Sequence, residues 1–383
     1  MILLLFCLSA QSVKQNTLVH ERVIVAGATG YIGRSVVKQL VARGIPTAAL
    51  VRSMNMPDKT ADCLRGATIL QCNVLDPIET REVYRQYLPT STINCIASRS
   101  GVAEDSWAVD YGGGLSVLQA QEYISNEFYP HKQINPFQQS CHFVLLSAFC
   151  VGKPLLQFQF AKLKLEERIR TSSISHSIVR PTAFFKSLDG QIESVRKGLP
   201  VLFFGNGSCS ANAICEKDLA NFLIDCAIQP EAINMFNTSR DIGGPDVPPI
   251  SKRQQIELIY DTLNIPEKDR KTISLPIEIF DVLIFVFSRL ERLFGNVKVA
   301  PLKSRFADAA EIARIVRYYA TEPMVAVGPG EVQGHSRLVD HFRRIAERGG
   351  LEEVDKMTTT TGVLELFTKN QYSAGKREEV QLK

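Results

Sequence analysis

An α/β fold, built as a doubly wound parallel sheet followed by a smaller C-terminal lobe, is predicted by three features of the sequence. The glycine-rich run Gly27-Ala28-Thr29-Gly30-Tyr31-Ile32-Gly33 sits between an apolar strand and an amphipathic helix. A series of short apolar runs follows, each separated from the next by a helix-length stretch. From about Phe184 this regular alternation gives way to irregular patterning.

Val23 to Ala26 is the first run, too short for a helix and rich in β-branched residues. Ser35 to Ala42 places Val36, Val37, Leu40 and Val41 at helical spacing. Further strands are predicted at Thr47 to Val51, Thr68 to Cys72, Thr92 to Ala97, His142 to Ser147 and Ser175 to Val179. The intervals between them are long enough for a helix to cross over, so the strands run parallel with helices on both faces. Beyond Phe184 the pattern predicts a hairpin near Leu202 to Ala213 and a helix over Lys217 to Ala227.

The resulting division is a leader over 1–20, a nucleotide-binding domain over 21–185, a substrate-binding lobe over 186–330 and a partly disordered extension over 331–383. Residues 331–383 end in polar sequence, TTTTG and then KREEVQLK, which lacks the apolar surface to order itself. Met1 to Ala10 (MILLLFCLSA) is as apolar as the h-region of a signal peptide but too short to span a bilayer. A bipartite organelle leader, a signal peptide and a truncated targeting segment all remain open for it. Ile279 to Phe287 is the most apolar internal stretch. Asp281 interrupts it, so it is read as a buried helix of the lobe, with a helix lying on a membrane or facing an apolar ligand as the alternative.

Composition narrows the function classes. A chain of 383 residues, 45% hydrophobic, can bury a large core. The net charge of +4 is not gathered into a basic block, so a nucleic-acid partner is not expected. Nine cysteines without a C-x-x-C pair, and six histidines without H-x-x-x-H spacing, predict neither a zinc site nor an iron–sulfur cluster. The cysteines read as buried thiols in a reducing compartment.

The spacing G-x-x-G-x-x-G, after a strand and opening a helix, is the fingerprint of a Rossmann-type dinucleotide site. Gly27 makes the tight turn, Gly30 lets backbone approach a pyrophosphate, and Gly33 allows helix and strand to pack closely. The second strand ends Leu50-Val51-Arg52-Ser53. A carboxylate there would bind a free ribose 2′-hydroxyl, whereas the Arg52 guanidinium offers a fork to a 2′-phosphate, which selects NADPH. Asp58 comes too late to take the NAD role. Topology places Asn73 and Val74, after the third strand, near the adenine, and Ala97 and Ser98, after the fourth, near the nicotinamide ribose.

G-A-T-G-Y-I-G followed by V-R-S resembles the atypical short-chain dehydrogenases. Within them, Asn94 to Tyr111 (NCIASRSGVAEDSWAVDY), His142 to Leu165 (HFVLLSAFCVGKPLLQFQFAKLKL), Ser177 to Leu188 (SIVRPTAFFKSL), Leu275 to Asp281 (LPIEIFD) and Ile315 to Met324 (IVRYYATEPM) resemble the plant-type divinyl chlorophyllide 8-vinyl reductases. The resemblance implies hydride transfer from NADPH to the 8-vinyl group of divinyl chlorophyllide a, or a related divinyl tetrapyrrole, in chlorophyll biosynthesis. It also implies a plastid location and peripheral contact with plastid membranes. Non-catalytic NmrA-like NADP sensors, photosystem-assembly factors and reductases of other conjugated alkenes share the nucleotide fold and stay open as alternatives.

On this resemblance Lys162 occupies the lysine of the usual Y-x-x-x-K pair, while Phe158 stands where its tyrosine would be. A ketone reductase must protonate a developing alkoxide. Reduction of a conjugated vinyl group instead sends negative charge into the macrocycle, leaving no oxyanion at that place to serve. Lys162 is then expected to hold the nicotinamide ribose. Ser147 either faces the same site or satisfies backbone. The proton donor is left open between Lys153, Tyr111, Tyr318 and solvent. The sequence departs from the family at two places: Gln121 to Cys141 is longer, and Asn206 to Ala213 (NGSCSANA) is less basic, which bears on how a substrate propionate would be held.

Overall fold

The computed structural model describes residues 21–129, 141–294 and 300–350. The leader, residues 130–140 of the longer connection and the tail after 350 lie outside the described residues. The centre is a seven-stranded sheet in the order β3-β2-β1-β4-β5-β6-β9. Its strands are β1 (Val23–Ala26), β2 (Thr47–Val51), β3 (Thr68–Gln71), β4 (Ser91–Asn94), β5 (His142–Leu146), β6 (Ser175–Pro181) and β9 (Thr238–Ile242). Every neighbouring pair is parallel; Val25, for example, pairs with Ala49 on one side and Ile93 on the other. All four residues of β1 are buried, as expected of a central strand covered on both faces. Strand order reverses between β1 and β4, and ligands of open α/β sheets bind in the crevice outside the carboxyl ends of the strands at such a point.

Helices cover both faces. On one side α1 (Tyr31–Ala42) packs with the later helix Glu216–Ile228, and Val36, Val37 and Leu40 are fully buried against the sheet. Burial stabilises by roughly 1.5–3 kcal/mol for each such side chain. The remaining helices of the first half are the short α2 (Asp58–Cys63), then α3 (Pro77–Tyr87), α4 (Gly114–Phe128) and α5 (Gln157–Arg170). The last three cover the opposite face through Tyr84, Val117, Leu118, Leu165 and Ile169. Pro77 opens α3 and Asp76 caps it, accepting from the backbone N–H of Ile78 and Glu79. A π-helical stretch, Ser106–Gly113, leads into α4.

The predicted hairpin near Leu202 to Ala213 is not formed. β7 (Val201–Phe204) pairs in parallel with β11 (Thr272–Leu275), and β8 (Ser210–Ala211) pairs with β10 (Ile250–Ser251). Both strands find partners distant in sequence instead of each other. The layers also cut across the linear division. The helix Glu216–Ile228, α7, and strand β9 both follow residue 185, yet both belong to the sheet domain. β9 is a half-exposed edge strand of sequence TSRDI with no apolar run to betray it.

The lobe core joins α6 (Asp189–Arg196) and α8 (Lys252–Thr262) to α11 (Leu338–Glu347), whose Leu338, Phe342 and Ile345 are buried in it. The segment just before the C-terminal tail is therefore part of the packed lobe. Between α8 and α11 run α9 (Glu278–Phe294) and α10 (Ala300–Thr321), which pack against each other. No helix among the described residues is long and apolar enough to cross a membrane.

Candidate active site

The glycine loop turns at the carboxyl end of β1. Gly27 has φ +75°, a left-handed value, and a Cβ there would lie 2.6 Å from Cys95 O. A Cβ on Gly33 would fall 2.1 Å from Gly27 O, so helix and strand meet backbone to backbone. No side chain caps α1 at Gly30, and no acid lies in its first turn. The N–H groups and positive dipole end of α1 are thus available to an anionic ligand, and the residues present fit a dinucleotide pyrophosphate. Ala28 and Ile32 are buried beneath the loop, while Thr29 and Gly30 are exposed at its tip. The Tyr31 hydroxyl donates to Glu216 Oε2 at 2.8 Å, and the buried Lys186 sets its ammonium 4.8 Å from the centre of the Tyr31 ring. Burial, with Glu216 beside it, pushes the Tyr31 hydroxyl far above its usual range, so it stays protonated.

The other nucleotide candidates line the same edge. Arg52 and Ser53 follow β2; Arg52 is exposed, has no ion-pair partner among the described residues, and Ser53 Oγ accepts from Asn55 N at 3.1 Å. Asn73 and Val74 follow β3. The side chain of Asn73 shapes its own turn by accepting from Leu75 N at 3.2 Å, and Val74 lies against Gly113. Ala97 and Ser98 follow β4, with Ala97 exposed and Ser98 half-buried.

Lys162 projects from α5 into this edge and is buried. Its ammonium lies 3.0 Å from Asp110 Oδ1, and Asp110 Oδ2 accepts from Ser98 N at 3.2 Å. Asp110 is the residue that sequence reasoning missed. It stands fifty-odd positions before Lys162, so no local spacing links them, and it sits in a π-helical stretch, a geometry frequent at functional sites but illegible from patterning. Its one signal was an acid in the otherwise apolar run AVDYGG.

Ser147, at the end of β5, donates its hydroxyl hydrogen to Glu166 Oε1 at 2.6 Å. Glu166 has no exposed surface and also holds Arg180 and Arg170. Burial alone would raise its carboxyl, but the bonds from Arg180 and Ser147 and the guanidinium charges hold it below the usual carboxylate range. Ser147 is thereby enclosed in a network joining α5 to β6. Its presence four residues past Lys162 was the only hint of Glu166.

The candidate proton donors separate clearly. Lys153 is exposed and pairs with Glu322 at 3.1 Å. Tyr318, on α10, donates to the backbone carbonyls of Cys150 (3.0 Å) and Lys153 (3.1 Å), and burial pushes its hydroxyl up to about 12. Tyr111 follows Asp110, lies half-buried with Trp107 edge-on to its ring at 5.9 Å, and its hydroxyl has no hydrogen-bond partner among the described residues. Phe158 is half-buried with Leu156, Ile315 and Tyr318, opposite Gly101. Helix α10 walls this side of the site: Glu311 accepts from Gln157 N at 2.8 Å, and a Cβ on Gly101 would lie 2.9 Å from Ile315. Among the described residues no three His, Cys, Asp or Glu side chains cluster as metal ligands.

Known proteins resemble this chain at three levels. The sequence model of the NmrA-like family matches residues 19–98. The chloroplastic divinyl chlorophyllide a 8-vinyl-reductase of Zea mays is 38% identical over 349 residues, covering 85% of this chain and 80% of that protein. The Arabidopsis thaliana protein of the same name is 36% identical over 351 residues, covering 85% and 77%. Among solved structures, the binary complex of Vitis vinifera leucoanthocyanidin reductase with NADPH superposes with a TM-score of 0.58 at 12% identity, covering 84% of this chain and 98% of that one.

Proposed function

We propose, because this chain belongs to the divinyl chlorophyllide a 8-vinyl-reductase family, that it catalyses NADPH-dependent reduction of the 8-vinyl group of divinyl chlorophyllide a to ethyl. The observation that carries this reading is a pairing at one position each: Lys162 is kept, buried and charge-compensated, while the residue four before it is Phe158, with no hydroxyl to protonate an alkoxide. That combination suits a substrate whose developing charge is delocalised over a macrocycle.

When bound, NADPH supplies the hydride. The chain supplies the rest. The glycine loop and the start of α1 would receive the pyrophosphate, and Arg52 would receive the 2′-phosphate. Asn73 and Val74 would meet the adenine. Ala97, Ser98 and Lys162 would hold the nicotinamide ribose, with Asp110 fixing the lysine's direction and tying it to the Ser98 backbone. Ser147 takes a supporting role through Glu166. Of the proton-donor candidates, Tyr318 already gives its hydrogen to backbone and Lys153 is engaged with Glu322, which leaves Tyr111 or solvent to deliver the proton.

The reading places the protein in the plastid, with peripheral membrane contact suited to a poorly water-soluble tetrapyrrole. Purified protein incubated with NADPH and divinyl chlorophyllide a should shift the Soret band to the blue as conjugation is lost. No shift, with NADPH bound, would favour a non-catalytic NADP sensor.

A further inference from the structure

Among the described residues the most apolar helix is packed on one side alone, not buried as its sequence predicts. On that side of α9, Phe280 is buried and stacks edge-on to Phe204 at 4.7 Å, Asp281 pairs with Arg317 at 2.7 Å, and Ser288 accepts from Arg314 at 3.2 Å. The other side leaves Ile279 (41%), Val282 (61%), Phe285 (60%), Val286 (41%) and Leu293 (70%) exposed to solvent. Isolated exposed apolar residues mean little, but five on one stripe of one helix mark a surface that something covers.

Ile279, Val282, Val286 and Leu293 fall on positions a, d, a and a of a single heptad frame, with Phe285 at g beside them, a pattern that suits packing against another helix. The remaining d position is Arg289, whose guanidinium folds back 5.2 Å over the Phe285 ring; a polar residue at one seam position fixes register. Beside the seam, at successive g positions, stand Glu278, Phe285 and Arg292. All three are exposed, and neither Glu278 nor Arg292 has an ion-pair partner among the described residues.

We propose that the exposed face of α9 is a two-fold interface between two copies of this chain, with the helices antiparallel and crossing at Phe285. Glu278 and Arg292 lie seven residues to either side of Phe285. A two-fold axis there puts each acid opposite the other copy's base, twice over. A parallel, in-register pairing would set each g position beside an e position of the other copy, Glu278 beside Leu283, and would leave both charges without a complementary partner, so the charges also choose the direction. The proposal is independent of the reaction assigned to the site.

Sedimentation velocity of the full chain tests it. The wild type should show a concentration-dependent dimer, and Phe285→Asp should sediment as a monomer with an unchanged circular-dichroism spectrum. Glu278→Arg and Arg292→Glu should each weaken dimerisation about tenfold, since the pair occurs twice. The double variant Glu278→Arg/Arg292→Glu should recover it, a result that general loss of folding cannot mimic. A wild type that stays monomeric at about 100 µM overturns the proposal, as does a double variant no better than its singles. So does a monomer that floats with phosphatidylglycerol vesicles through Phe285, which would make the face a lipid contact.

Discussion

Lys162 Nζ lies 3.0 Å from Asp110 Oδ1, and the other oxygen of that carboxylate accepts a hydrogen bond from Ser98 N at 3.2 Å, so one buried acid orients both the lysine and the loop after β4. Lys162→Met is expected to raise the KM for NADPH and, by misplacing the nicotinamide, to lower kcat. Asp110→Asn strands a buried ammonium and should cost about 3–5 kcal/mol of stability by urea denaturation. The double variant should regain most of that stability but not the NADPH affinity. Normal KM and kcat in Lys162→Met would leave the cofactor anchored by the glycine loop and Arg52 alone.

Arg52 is exposed at the end of β2 with its charge uncommitted among the described residues. The protein should therefore prefer NADPH to NADH by at least about tenfold, or roughly 1.4 kcal/mol. Arg52→Asp should weaken NADPH selectively. Equal binding of the two cofactors by the unmutated protein, measured by fluorescence titration, would remove the argument.

Phe158 packs beside Ile315 and Tyr318 with no hydroxyl to offer. Phe158→Tyr should leave vinyl reduction within about a factor of ten, under roughly 1.4 kcal/mol in barrier. The unmutated enzyme should show no ketone reductase activity. A large gain of rate in Phe158→Tyr would mean that a phenol was needed after all.

Gly33 has no room for a methyl group, because its Cβ would fall 2.1 Å from Gly27 O. Backbone must move to admit one, at a cost of about 1–3 kcal/mol or more. Gly33→Ala should lose more than about tenfold in NADPH affinity together with thermal stability. Unchanged binding in a titration would show that the loop is looser than its geometry.

His142, at the start of β5, is buried between Ser175 Oγ and Ser177 Oγ, each 2.8 Å from a ring nitrogen, and burial with His176 nearby lowers it to about 3. It folds as the neutral ring. The unfolded chain takes up a proton below about 6.5 while the folded chain does not, so this stability is whole above that pH and is lost as pH falls toward 3, by about 1.4 kcal/mol per unit. His142→Asn should flatten the pH dependence of urea midpoints between about 5 and 6.5. An equally steep profile in the variant would place the acid sensitivity elsewhere.

Much of the sheet was legible because burial on both faces forces the strands to be continuous apolar runs, and the runs at Thr47, His142 and Ser175 begin where their strands begin. The glycine loop was legible for a related reason: close backbone approach excludes every side chain, so the constraint is written as residue identity. β9 was not, since an edge strand needs little apolar surface, and the hairpin at Leu202 failed because turn chemistry is local whereas β7 and β8 pair with Thr272–Leu275 and Ile250–Ser251.

The sequence by itself indicated six parallel strands of the sheet, a glycine loop suited to a dinucleotide, an arginine in place of an acid after β2 and the missing phenol at Phe158, because each is a property of one residue or one short spacing. Tertiary structure alone decided that Asp110 partners Lys162, that Ser147 is enclosed by Glu166, that Tyr318 serves backbone carbonyls, and that one side of α9 is left uncovered. Those outcomes depend on which distant segments the crossovers bring together, and charge compensation acts through space over a few ångströms without regard to separation along the chain.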